Sequence, residues 1–226
     1  MDWAFITKYA QMYLTAAGLT LRLAALGTLL SILLGLACSL ILYYRLPVLR
    51  QLVSGYIELS RNTPLLVQLF FLYFGLPKLG LVLSAENCAI IGLTFLGGSY
   101  MAEAFRSGLS SVEPGQIEAG QSIGLRRGQI IRLIVLPQAL SVSIPALCAN
   151  TIFLIKETSV FSAVALADLM FVAKDLIGLY YKTDEALLLL VSAYLIILLP
   201  VSALAAWLER RLRYAGFGAS NPLSGQ

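Results

Sequence analysis

The residues with the clearest chemical potential lie in a polar segment, 113–137, that separates two apolar runs. It contains the carboxylate of Glu118, a glycine at position 124, and the arginines Arg126 and Arg127. Glycine favours turns, and arginines in a short loop between apolar runs mark the cytoplasmic side of a bilayer. The spacing predicts a helical hairpin that bends at Gly124 and offers Glu118 to a basic residue of a soluble protein.

A second group of polar residues lies within or beside apolar runs, where ionisable side chains are costly and are therefore candidates for function. Asn150 and Glu157 are seven residues apart, which is about two helical turns, so they would share one helix face. Arg22 stands at the start of an apolar run, and Lys156 directly precedes Glu157. These side chains either line a wet cavity or pair internally and extend to the membrane interface.

The composition of the chain indicates an integral membrane protein. Hydrophobic residues make up 59% of the chain, charged residues only 12%, and mean hydropathy is +0.84, whereas ordinary soluble domains carry roughly 25% charged residues. A helix crosses the hydrocarbon with about 20 apolar residues. Charge-free windows predict five transmembrane helices, of which the second and third windows are short: Leu23–Tyr44, Asn62–Pro77, Asn87–Ala102, Leu133–Ile155 and Ala186–Leu208.

Basic residues are distributed unevenly between the two sides that five spans define. One side carries Arg45, Arg50 and Arg61 in one loop, Arg106, Arg126, Arg127 and Arg132 in another, and Arg210, Arg211 and Arg213 in the tail. The other side carries Lys8, Arg22, Lys78, Lys174 and Lys182. Because arginine and lysine accumulate on the cytoplasmic side, the N-terminus is predicted outside and the C-terminus in the cytoplasm. Residues 1–213 are expected to form one domain, and 214–226 a flexible tail.

Several kinds of chemistry are excluded by what the sequence lacks. There is no histidine, which excludes imidazole catalysis and metal ligation by histidine. No P-loop motif is present in which this chain could hold a nucleotide. Cys38, Cys88 and Cys148 match no metal or redox spacing and are expected to be packing residues. We therefore expect neither a catalytic residue nor a metal ligand.

The polar hairpin resembles the cytoplasmic coupling loop of ABC importer permeases. That loop has the pattern Glu-Ala-Ala, a glycine four residues further on, and then Ile-x-Leu-Pro. The matching residues are Glu118, Ala119, Gly124, Ile134, Leu136 and Pro137. Gly120 replaces the second alanine, which lowers local helix propensity by up to about 1 kcal/mol but keeps the acid and the turn.

Two further segments are similar to the polar amino-acid branch of that superfamily. The run from Arg61 to Gln68 resembles its Arg-Gly-Thr-Pro-Leu segment, with Asn62 in place of glycine. The run from Lys156 to Val160 resembles its Lys-Asp-Thr-Ser-Leu segment. The three motifs occur in the family's order and the resemblance covers residues 18–213, so the chain is identified as a member of this family.

The resemblance implies an all-α integral membrane fold of the type I importer permease kind, in a bacterial cytoplasmic membrane. It also implies a second permease subunit, identical or homologous, two ATPase subunits that bind ATP and Mg²⁺, an extracytoplasmic substrate-binding protein and an amino-acid substrate, with no nucleic acid. The expected ATPase-coupling residues are Glu118, Ala119, Gly124, Arg126, Arg127 and Pro137. The expected substrate-path residues are Arg22, Arg61, Asn150, Lys156, Glu157, Thr158 and Ser159. The chain itself is expected to be a transport subunit and not an enzyme.

Two other functions remain open from the residues alone. A secondary transporter or channel would need inverted repeats or a pore-lining ion ring, and the sequence shows no such repeat. An intramembrane hydrolase would need a nucleophile with a supporting base. The amino acid carried also stays open, because Arg22 and Lys156 suit a carboxylate whereas Glu157 and Asp168 suit an amino group.

Overall fold

The computed structural model describes residues 1–213, and the tail predicted for 214–226 lies outside them. Every regular element in the described part is helical. The α-helices are α1 (Trp3–Tyr43), α2 (Pro47–Arg61), α3 (Leu65–Phe70), α4 (Ala85–Ser110), α5 (Pro114–Ser122), α6 (Arg127–Ile130), α7 (Leu136–Glu157), α8 (Leu169–Tyr180) and α9 (Thr183–Arg213). Shorter π and 3₁₀ turns extend three of them: Phe71–Gly75 and Leu76–Leu79 after α3, Ile131–Val135 between α6 and α7, and Thr158–Val164 after α7.

Four of these helical stretches are long and apolar enough to cross a membrane: Trp3–Tyr43, Ala85–Ser110, Arg127–Val164 and Thr183–Leu212. Each overlaps one predicted window. The window Asn62–Pro77 corresponds to the shorter apolar stretch Leu65–Leu79, so the count of five spans stays a prediction. α1 begins well before its window, because Lys8 and Arg22 interrupt the apolar pattern without interrupting the helix.

The centre of the fold is the contact between α1 and α4. Gly27, Ser31 and Gly35 recur once per helical turn on α1 and are buried against α4. The Ser31 hydroxyl donates hydrogen bonds to the carbonyls of Gly27 (2.7 Å) and Leu93 (3.2 Å). A Cβ added at Gly35 would lie 2.7 Å from the backbone nitrogen of Ala102. Small residues thus allow close backbone approach, the usual device for packing helices in lipid.

Helices α2 and α3 pack along α4 as one interrupted helix. The Tyr56 hydroxyl of α2 donates to the Phe95 carbonyl (2.7 Å), and Gly92 of α4 faces Leu65 and Leu69 of α3. Residues later in α2 and α3 contact residues earlier in α4, so α2 and α3 run antiparallel to α4. The break at 62–64 contains a proline, which disfavours helix at the preceding residue.

One loop assignment made from the sequence is wrong. Arg61 was predicted to share a cytoplasmic loop with Arg45 and Arg50, but the 15-residue helix α2 separates it from Arg45. Arg61 is the last residue of that helix and stands at the break before α3. The sequence did not reveal the helix, because the serines and the glutamate of α2 give the segment the composition of a polar loop.

The connection after α7 is more compact than its charges suggest. Asp168 follows the 3₁₀ turn after α7, and its side chain is buried. It caps the N-terminus of α8, where its Oδ1 accepts a hydrogen bond from the Phe171 amide at 2.9 Å. Capping by a carboxylate satisfies a free helix amide and offsets part of the cost of burial. The mixed-charge sequence around it therefore does not mark a free loop.

The helix ends define two opposite poles of the described chain. At one pole the Asp2 amide donates to Glu185 Oε1 (2.8 Å), and Lys182 Nζ lies 3.4 Å from Asp2 Oδ2. At the other pole Tyr43, at the end of α1, shares a small cavity with Arg127 of the hairpin. The hairpin and the N-terminus are therefore separated by the length of α1.

Candidate coupling surface and substrate cavity

The hairpin is a helix, a tight bend and a second helix. Gly124 has a φ of 81°, and α5 ends with two hydrogen bonds, from the Gly124 amide to the Gln121 carbonyl (2.9 Å) and from the Leu125 amide to the Gly120 carbonyl (3.1 Å). These are the bonds of a Schellman cap, in which glycine accepts the left-handed conformation without strain. The Arg126 amide then donates to Gln129 Oε1 at 2.9 Å and starts α6. The predicted bend at Gly124 is confirmed.

A small apolar core fixes the hairpin to the membrane helices. Its buried members are Val112, Ile130, Val135 and Ala139. Gly120 lies on this core, and a Cβ added there would meet Ile134 Cδ1 at 2.8 Å. The departure from the family's alanine thus coincides with a close approach of α5 to the π turn at Ile131–Val135.

The opposite side of the hairpin is exposed to solvent. Glu118, Ala119, Arg126 and Arg127 are all exposed, and within residues 1–213 none of the three charged ones forms an ion pair. Pro137 is half-buried in the first turn of α7. The structure thus groups the predicted coupling residues, apart from Pro137, on the free end of the hairpin.

Ile123 belongs to the same exposed surface and was missed from the sequence. Its relative exposure is 77%, next to the bend. An apolar residue directly before the bend glycine, in a turn that is otherwise polar, was the available signal. Together with Glu118 it provides one apolar and one charged contact, the combination found at protein interfaces.

Two of the predicted substrate-path residues line a cavity of about 330 Å³ between α2, α3, α4 and α7, whereas Asn150 lies outside its lining. Arg61 and Glu157 both line it, beside Thr63 and Pro64 of the helix break. Tyr100 of α4 forms part of its wall, and the Arg61 guanidinium lies 5.3 Å from the Tyr100 ring centroid. The cavity therefore carries one cation and one carboxylate on different helices.

Asn150 and Glu157 share the face of α7 that their spacing predicts. Asn150 Nδ2 donates to the Tyr100 carbonyl at 3.1 Å. Phe153, which lies between Asn150 and Glu157 on α7, packs against the Tyr100 ring in a tilted arrangement with centroids 5.2 Å apart. Tyr100 of α4 thus contacts Asn150 directly and lines the same cavity as Glu157. It was not singled out from the sequence, because an aromatic residue in an apolar run has no pattern that separates it from ordinary packing.

The structure places the remaining predicted residues elsewhere. Arg22 forms an ion pair with Glu86, with Nη2 and Oε2 2.6 Å apart and both side chains about half exposed. Lys156 is exposed. Thr158 is buried and donates to the Ile155 carbonyl at 2.7 Å, while the Ser159 carbonyl accepts from the Ser162 hydroxyl at 3.2 Å. None of these four lines the cavity that contains Arg61 and Glu157.

Comparison with known proteins places this geometry in a family. Residues 9–214 match the family described as the inner membrane component of binding-protein-dependent transport systems. A probable amino-acid ABC transporter permease from Vibrio harveyi is 33% identical over 95% of this chain and 97% of its own. A probable glutamine ABC transporter permease from Bacillus subtilis is 38% identical over 77% of this chain and 82% of its own.

Solved structures agree with the sequence relatives. An amino-acid ABC transporter crystallised with histidines has a chain that superposes with a TM-score of 0.86 at 31% identity, covering 93% of this chain and 99% of that one. An inward-facing methionine ABC transporter shares the fold, with a TM-score of 0.74 at 21% identity over 89% of this chain and 96% of that one. The chain belongs to the family of binding-protein-dependent transport system inner membrane components and is a multi-pass permease subunit of an amino-acid ABC transporter, a transport component and not an enzyme.

Proposed function

We propose that this chain forms half of the translocation pathway of an ATP-driven importer for polar or charged amino acids. It pairs with a second permease, identical or homologous, and receives its substrate from an extracytoplasmic binding protein. Two cytoplasmic ATPase subunits hold ATP and Mg²⁺ and supply the energy. The basic pole with the hairpin faces the cytoplasm, and the N-terminus faces outward.

The observation that supports an amino-acid substrate is that Arg61 and Glu157 line the same cavity. Every free amino acid is a zwitterion, so its recognition needs a cation for the carboxylate and an anion or acceptor for the amino group. Arg61 supplies the first and Glu157 the second. The cavity volume, about 330 Å³, lies at the small end of the range of roughly 300–1,000 Å³ for ligand pockets, as a small solute requires.

The exposed end of the hairpin supports the coupling role. Glu118 offers a carboxylate for a charge-assisted contact, and Ile123 offers an apolar contact. The Schellman cap and the apolar core make the hairpin a rigid body, so a push from a closing ATPase dimer passes into α7. Because α7 carries Glu157, movement of α7 changes access to the cavity.

The proposal is tested by uptake of radiolabelled amino acids into proteoliposomes that contain the assembled transporter. Arg61→Gln and Glu157→Gln each remove one charge and retain some hydrogen-bonding capacity. We expect both to reduce uptake at least about tenfold, because each leaves one end of the zwitterion without its charged partner, a loss of roughly 1.5–3 kcal/mol.

Arg22→Gln is the matched control. It removes the same charge from the same residue type, but Arg22 pairs with Glu86 at a partly exposed site, where an ion pair is worth about 0–1 kcal/mol. We expect near-normal uptake. Normal uptake in both cavity variants, with unchanged yield of assembled complex, would remove the cavity from the substrate path; a selective loss in Arg22→Gln would move the path to Arg22.

A further inference from the structure

A second and larger cavity has one lining residue, Arg61, in common with the first. Its volume is about 570 Å³, and it lies between the end of α1, the polar face of α2 and the lower half of α4. Four arginines line it against two glutamates: Arg45, Arg50, Arg61, Arg106, Glu58 and Glu103. Its other boundary includes Tyr43, which also borders the hairpin. It therefore lies toward the hairpin pole.

Arg61 is the residue that both cavities share. Tyr100 lines the smaller cavity and Glu103 the larger one. These two residues lie one helical turn apart on α4 and so share a face. The Arg61 guanidinium lies 5.3 Å from the Tyr100 ring centroid, and its Nη1 lies 3.9 Å from Glu103 Oε2. The Arg61 side chain thus crosses the boundary between the two spaces.

The contact that holds Arg61 there is the weaker of two on the same carboxylate. Glu103 receives two hydrogen bonds from Arg106, one from Nη2 at 2.7 Å and one from Nε at 3.2 Å. Arg61 approaches only to 3.9 Å. When Arg61 leaves, Glu103 keeps a bidentate partner and is not left as an uncompensated charge. Release of Arg61 from Glu103 therefore has a small free-energy cost.

We propose that Arg61 is a substrate-operated gate between the two cavities, a role that rests on the proposed transport of amino acids. In the absence of substrate, Arg61 bridges Tyr100 and Glu103 and closes the way to the larger cavity. The carboxylate of a bound amino acid competes with Glu103 for the guanidinium and draws it away from α4. The larger cavity, with Arg45 and Arg50, then receives the carboxylate on its way to the cytoplasmic side.

If Arg61 is a gate held by Glu103, removal of the Glu103 carboxylate should increase passive efflux of substrate. Proteoliposomes preloaded with a radiolabelled amino acid are assayed for efflux without ATP. We expect Glu103→Gln to raise this efflux about two- to fivefold, the factor that corresponds to loss of one partly exposed ion pair. Asp175→Asn, an exposed acid on α8 away from both cavities, should leave efflux at the wild-type value. Wild-type efflux in Glu103→Gln would overturn the gate.

A second experiment tests whether the boundary between positions 61 and 103 lies on the efflux path. Cysteines at positions 61 and 103, in a chain without Cys38, Cys88 and Cys148, are joined by a short bifunctional thiosulfonate. We expect the cross-link to reduce the remaining efflux and a reducing agent to restore it, while single-cysteine controls do not respond. Efflux that is unchanged by cross-linking would contradict the gate.

Substrate binding separates failure of the gate from failure of the transport proposal. Glu103→Gln retains Arg61 and Glu157 and removes the acid that competes for the Arg61 guanidinium, so equilibrium binding of a radiolabelled amino acid to the purified complex should be unchanged or up to about two- to fivefold tighter if the gate is real. Loss of binding in this variant would show that Glu103 belongs to the binding site and would contradict the gate. The transport proposal stands or falls separately, on uptake by the Arg61 and Glu157 variants.

Discussion

Two positions of the hairpin, Gly120 and Gly124, favour glycine for different physical reasons. Gly124 has a φ of 81° and no atom within 4 Å of the position where a Cβ would stand. A glycine at position 124 is therefore favoured by the backbone conformation and not by lack of space. Gly120 is helical, and its Cβ position meets the flexible end of Ile134. A glycine at position 120 is therefore favoured by the lack of space for a Cβ, although the Ile134 side chain can shift to accommodate one.

Alanine substitutions at the two glycines should therefore differ. Gly120→Ala gains up to about 1 kcal/mol of helix propensity and loses a similar amount through crowding of Ile134, so the thermal midpoint and uptake should remain near wild type. Gly124→Ala forces a left-handed conformation that costs about 1–2 kcal/mol, and both quantities should fall. Thermal unfolding of the purified transporter measures the pair. Equal effects would mean that the cap geometry does not limit the hairpin.

At the same scale, spacing predicted the cavity only in part. The interval between Asn150 and Glu157 indicated a common helix face, and the structure has it. Arg61 was assigned to a loop because the break at 62–64 hides that α2 and α3 continue along α4. Tyr100 and Glu103 were not identified, since their roles depend on α2 lying against α4, a tertiary contact that no local pattern encodes.

At the scale of elements, the hairpin combines a rigid attachment with an exposed tip. The core around Ile130 and Ala139 faces α7, while Glu118 and Ile123 face solvent. Interfaces gain most of their affinity from a few residues that the partner encloses fully. The tip is small, so each of its contacts should be measurable alone.

Substitutions at the tip should weaken the hold on the ATPase without affecting insertion. We expect Glu118→Ala to cost a few kcal/mol at most, as loss of one charged interface contact does, and Ile123→Ser to cost about 1–3 kcal/mol through lost apolar burial. Co-purification of the ATPase with the tagged permease measures both. Glu113→Ala, which changes an exposed glutamate at the far end of α5, is the control. Full ATPase recovery with both tip variants would refute docking at this surface.

Element positions were predictable where composition decides them. Charge-free windows located α1, α4, α7 and α9 because lipid selects apolar residues along a whole span. The short helix α3 and the amphipathic α2 were not recognised as neighbours in one interrupted helix. The first turns of α1 were also missed, since Lys8 and Arg22 break the apolar window while the helix continues through them.

At the scale of the whole molecule, the described chain has an acidic and basic cluster at one pole and the hairpin at the other. Asp2, Lys182 and Glu185 hold the N-terminus to the start of α9. Because α1 connects the two poles, positions near Asp184 and near Arg127 should face opposite sides of the membrane.

Thiol labelling tests this orientation. Arg127→Cys and Asp184→Cys, each in a chain without Cys38, Cys88 and Cys148, are exposed in intact cells to a membrane-impermeant thiol reagent. We expect labelling at position 184 from outside and at position 127 only after the cells are opened, since the arginine-rich pole is cytoplasmic. Labelling of both from the same side would contradict the topology.

The function proposed for this chain is transport of amino acids with energy from ATP. The most direct measurement is uptake of a panel of radiolabelled amino acids by proteoliposomes containing the complete transporter and its binding protein, with ATP or an ion gradient as the only energy source. We predict accumulation of at least one polar amino acid that requires ATP and persists when all ion gradients are collapsed. Accumulation driven by an ion gradient without ATP would contradict the account and identify a secondary transporter.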